Sequence, residues 1–131
     1  MRFMLLMHKP YGTGEYQAGS WSPEDLQAHG QFMYNLDREL AKSGERVAGE
    51  GLAAPREAKI VRAGKNGAPA LTDGPFPETK EFLAGFWIVD VERPERAYEI
   101  AAQASLAPGP GGKPLYIPFE VRQVMTGSMD A

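Results

Sequence analysis

At 131 residues, 43% of them hydrophobic, the chain reads as one domain, residues 1–131, large enough to bury a core without a disulfide or a structural metal. It has no cysteine, which excludes thiolate chemistry and suits a reducing cytoplasm, the expected location. Its net charge of -3, with acids and bases interspersed, offers no basic stripe for a phosphate backbone, so no nucleic acid is expected as a ligand.

In chain order, "MRFMLLMHKP" has too short an apolar run for a signal peptide and lacks a small-residue cleavage site. No other stretch approaches the length of a membrane span, so no membrane partner is expected. Arg2 to His8 is apolar and bounded by "KPYGTG", which predicts a buried strand. Ser22-Pro23-Glu24-Asp25 then opens a helix: Ser caps free amides, Pro fits the first turn, and acids suit the positive dipole end. Leu26, His29, Met33, Leu36 and Leu40 fall on one stripe of it, and Gly44 is the expected left-handed stop.

"ERVAGEGL", "AKIVRA" and "PALTD" follow as short strands, the last two joined across an Asn66-Gly67 turn. "FLAGFWIVDV" is a further strand, and Arg93-Pro94-Glu95 opens a second helix carrying Ala97, Tyr98, Ile100, Ala101 and Ala104 as far as Leu106. After the irregular "APGPGGKP", "LYIPFEVRQVM" alternates as a last strand, with Leu115, Ile117, Phe119 and Val121 on one face and Tyr116, Glu120 and Arg122 on the other.

This order predicts an α+β fold, a ferredoxin-like sandwich with two helices on one face of a mostly antiparallel sheet. The sheet face away from the helices should then alternate with polar residues, yet "FMLLM" and "GFWIV" do not alternate. A second copy of the chain would cover that face, so a homodimer with facing sheets is expected.

"GEGL" at Gly49 to Leu52, "TDGPFPETKE" at Thr72 to Glu81, "AGFWIV" at Ala84 to Val89 and "EVRQV" at Glu120 to Val124 resemble the DGPF branch of the YCII-related proteins. The resemblance covers almost the whole chain and implies a bacterial protein with a dimeric α/β barrel. It also implies an unestablished activity, some relatives resembling enzymes that act on small organic molecules, and association of many DGPF members with extracytoplasmic-function sigma factors. There are two departures. The main YCII branch carries a His on the first helix and an Asp just after the second; here that His position falls near Met33, with His29 a turn away, and "LAPGPGGKP" holds no Asp. Pro77 stands where DGPF proteins usually have Ala, which stiffens the loop without removing a functional group.

Asp73 reads two ways, as a base or acceptor at a pocket rim or as an acceptor for the amides of its own turn. Glu78, Thr79, Lys80 and Glu81 could position a substrate carboxylate or phenolate, or could shield a sheet edge as an exposed ion cluster. Glu50 sits between glycines that admit a ligand or mark a bulge. Arg122 could bind a carboxylate or pair with Glu120. His29 reads as a core histidine or a catalyst, and His8 could reach a pocket or a dimer seam. The catalytic candidates are thus Asp73, Glu78, Lys80 and Glu50, and the substrate-binding candidates Arg122, His29 and His8.

Two isolated His without ligand spacing predict no metal site. "PGPGGKP" is not a phosphate loop, and neither a nucleophile elbow nor a dinucleotide fingerprint occurs, so no cofactor is expected. Two functions compete. One is a small-molecule binder or cofactor-independent enzyme, performing proton transfer or elimination on an organic acid or phenol near the DGPF loop. The other is a non-catalytic sensor or partner of a sigma factor.

Overall fold

Two capping devices set the long helix that roofs the molecule. In the computed structural model, which describes residues 1–10, 20–75 and 80–125, Ser22 Oγ accepts the Asp25 amide and Pro23 occupies the first turn of α1 (Pro23–Ser43). At the other end Gly44 takes a left-handed conformation, φ 79°, that a side chain would strain, and its N–H donates to the Ala41 carbonyl.

α1 follows β1 (Arg2–Pro10) and leads into β2 (Arg46–Gly51). Two short strands, β3 (Lys59–Ala63) and β4 (Pro69–Asp73), then form a hairpin, closed across the Asn66-Gly67 turn by the Gly64 amide on the Ala68 carbonyl. β5 (Glu81–Asp90), α2 (Pro94–Ser105) and β6 (Phe119–Gln123) complete the chain. The main sheet has the order β2-β5-β1-β6 with every pairing antiparallel. This is an open α+β sandwich of the ferredoxin-like plan, with the β3–β4 hairpin inserted before β5.

Burial explains the layering. Phe3, Leu5, Trp87 and Val89 project from one face of the sheet and pack with Leu36 and Leu40 of α1 and with Ala97, Ile100, Ala101 and Ala104 of α2. The small alanines let α2 approach closely, and Leu5, Val89 and Ile100 are fully enclosed. Glu45 fastens the frame electrostatically: its carboxylate takes Arg96 Nε at 2.7 Å and Nη2 at 3.0 Å, tying the start of β2 to α2. The hydrogen bonds from Arg96 hold the Glu45 carboxyl below its usual range.

Three sequence expectations need correction. Leu26 lies 42% exposed at the outer end of the α1 stripe, and Tyr98 faces solvent because the core face of α2 runs through positions 97, 100, 101 and 104. The last strand begins at Phe119 rather than Leu115. Pro114 and Pro118 cannot donate to a ladder, and Tyr116 adopts a left-handed φ of 52°, so the chain turns before it pairs with β1. Ile117 is nonetheless fully buried, and Phe119 and Val121 pack on the core as their shared face predicts. Among the described residues, no helix is long and apolar enough to cross a membrane.

Candidate functional site

The helix-facing side of the sheet does not fill completely. Between α1 and strands β1, β2 and β5 lies a cleft of about 470 Å³, walled by Met7, Met33, Phe119 and Trp87 and carrying polar groups from His29, Tyr34, Asp37 and Arg46. An apolar body with a few polar groups is the usual make-up of a small-molecule site.

Glycine at position 49 makes the floor possible. A Cβ there would stand 2.2 Å from Trp87 Cδ1, so the indole can lean across β2 only over a residue without a side chain. The bulge that a glycine could have marked falls instead between Arg46 and Ala48. In this position Trp87 Nε1 donates to Asp37 Oδ1 at 2.9 Å, and Arg46 Nε donates to the same oxygen at 2.7 Å. Arg46 Nη2 reaches the Gly49 carbonyl at 3.1 Å, which locks the guanidinium to its own strand. Burial pushes the Asp37 carboxyl up, but the bonds from Arg46 and Trp87 outweigh it, and the group stays ionised below its usual range. Asp37 and Arg46 are therefore spoken for: they hold the wall of the cleft.

His29 differs from them. Its Nδ1 lies 3.0 Å from the carbonyl oxygen of Pro108, and its ring meets the buried Trp21 edge-on with centroids 5.4 Å apart. A carbonyl oxygen only accepts, so Nδ1 carries the proton, and Nε2 of the neutral ring keeps its lone pair. Burial lowers the imidazole's pKa, the bond to Pro108 opposes that, and the nearby Lys9 charge adds to it; the net direction is down. A half-buried histidine on a cleft wall, neutral and fixed in one tautomer, has the properties of a general base. The loop after α2 offers it no carboxylate, but supplies the Pro108 carbonyl as its acceptor.

The other sequence candidates scatter. Glu50 borders the cleft, but it stands opposite Phe86 in the ladder, on the sheet face turned away from the helices, and is exposed. Asp73 ends β4 with its side chain 89% exposed; it accepts from Lys59 Nζ at 2.6 Å, and this bond lowers its pKa. Glu78 lies outside the described residues, and Lys80 is exposed at the start of β5. His8 Nε2 is 3.1 Å from Glu120 Oε1, and Arg122 Nε is 3.9 Å from Glu120 Oε2, across β1 and β6. Of the six candidates among the described residues, only His29 and Glu50 border the cleft. Sequence reading missed Asp37 and Arg46. The signal for Asp37 was faint: an acid on the core side of α1 beside Leu36, which implies a buried donor opposite.

The family model of the YCII-related domain matches residues 1–110, from β1 through α2 and into the loop that holds Pro108. The chain belongs to the YCII-related family. The matched region contributes every cleft residue named above except Phe119 of β6. Among curated proteins, none matches the chain. In this YCII-related domain, among the described residues, no three His, Asp or Glu side chains gather as a metal would need.

Proposed function

We propose that the protein binds a small organic molecule in the cleft beneath α1 and acts on it as a cofactor-independent acid–base catalyst, with His29 as the base. The observation that carries this reading is the half-buried His29, whose Nδ1–H is engaged by Pro108 and whose Nε2 lone pair remains for a bound molecule. The base removes a proton from a C–H or O–H acid held against the Met7, Met33, Phe119 and Trp87 walls, then returns it or releases it to water. Asp37 and Arg46 do not touch the reacting atoms; they keep Trp87 in place as part of the wall.

The ring opening of 5-nitrobenzisoxazole tests a base of this kind without knowledge of the natural substrate. His29 Nε2 takes the ring C–H proton, the N–O bond breaks, and a coloured cyanophenolate leaves. The expected result is a saturable acceleration that rises with pH through an inflection below the ordinary imidazole value. His29→Gln should lose it by about 100-fold, the scale of one well-placed base. A wild-type rate equal to buffer, or an undiminished rate in the variant, contradicts the reading.

We also propose that two copies pair through the sheet face turned away from the helices. Met4 and Leu6 of β1 lie opposite Ile88 and Phe86 of β5 on that face and are half-buried, an apolar surface suited to a second sheet. Sedimentation equilibrium should return twice the chain mass, and Leu6→Lys should return the single mass; a monomeric wild type at micromolar concentration would remove this part of the proposal.

A further inference from the structure

Lys9 takes no part in the machinery described so far, yet it is half-buried at the end of β1. β1 alternates, and Phe3, Leu5 and Met7 all turn toward the helices; Lys9 is next on that face, directly beyond Met7 of the cleft wall. Its ammonium is close enough to His29 to weaken that imidazole's basicity. Burial alone lowers the Lys9 pKa, and among the described residues no carboxylate offsets it: Glu81, opposite the adjacent Pro10, makes no ion pair with it. A partly dehydrated cation without a counter-ion gains from an anion more than a solvated one does.

We propose that Lys9 is the anion-recognising group of the cleft, so that the molecule bound beside His29 is a small organic anion, its carboxylate or phenolate oxygen paired with Lys9 and its apolar, ring-sized body against Met7, Met33 and Trp87. This rests on the cleft being a small-molecule site, as proposed above, and adds the class of molecule it selects. The stacked pair Trp87 and Phe119, centroids 6.5 Å apart and planes within 17°, gives that body a flat aromatic surface to lie on.

Benzoate and benzamide, equal in shape and different in charge, separate the two layers of the proposal. Binding is followed through the Trp87 indole and His29 ring NMR signals of the whole chain. Wild type should bind benzoate about tenfold more tightly than benzamide, as a charge-assisted hydrogen bond implies. Lys9→Gln should abolish that preference with benzamide affinity unchanged, and Lys9→Arg, which keeps the charge and reports on folding at this position, should retain it. Equal affinities in wild type, or a preference that survives in Lys9→Gln, overturns the anion inference while leaving the cleft as a binding site. If neither compound moves the two signals at millimolar concentration, both the inference and the small-molecule reading fall.

Discussion

Asp73 at the end of β4 and Asp37 on α1 each accept a hydrogen bond from a cation, at 2.6 Å from Lys59 and at 2.7 Å from Arg46. The two contacts have nearly the same length and very different surroundings. Asp73 is 89% exposed on a hairpin whose residues face water on both sides, whereas Asp37 is 33% exposed, shares its oxygen with the Trp87 indole and closes one wall of a cleft. A charge pair in bulk water is worth little, because solvent screens it and two long side chains must be ordered to make it. The same pair at the edge of a core positions an aromatic ring, and leaving it half made is costly. Charge density along a sequence is thus a weaker guide to a site than the burial of a single charge.

Five substitutions would sharpen or break this contrast. Trp87→Ala removes the largest buried side chain of the cleft and should cost about 3–5 kcal/mol in urea unfolding. Asp37→Ala strands the indole N–H and the Arg46 guanidinium; with part of the site wet, a loss of about 1–2 kcal/mol is expected from the same experiment. A smaller effect follows from His29. Its folded pKa is depressed, so the unfolded chain binds more protons as pH falls below about 6.5, and stability should decline as pH drops through the folded value. Thermal melts between pH 5 and 8 should show this decline in wild type and its absence in His29→Gln. Last, Val61→Ser on the hairpin should stay within about 0.5 kcal/mol, and Asp73→Asn should melt with wild type. A hairpin variant that destabilised the chain as strongly as Asp37→Ala would refute the contrast.

The fold was legible because its signals are local. Ser22-Pro23 and Gly44 bracket α1, Asn66-Gly67 turns the hairpin, and the spacing of Ala97, Ile100 and Ala104 marks the buried face of α2. The last strand is expected to start four residues too early because alternation carries no record of the two prolines' missing donors or of the Tyr116 turn. The site was harder to see for a different reason. Asp37 is 9 residues from Arg46 and 50 from Trp87, and His29 is 79 from Pro108, a partner that shows in no side-chain pattern because it is a backbone carbonyl. Lys9 falls in the "KPYGTG" that bounds the first strand, and a sequence pattern carries no sign that this lysine is half-buried.

The proposed base stands or falls with the state of His29, and its ring nitrogens can be observed without any substrate. Nitrogen-15 NMR of the imidazole between pH 5 and 8 should find Nδ1 protonated and Nε2 bare in the neutral form, with a pKa below that of an exposed histidine. In Lys9→Gln that pKa should rise, because a neighbouring positive charge has been removed. A ring protonated on Nε2, or a pKa at or above the ordinary value, would contradict a cleft built around this residue as its base.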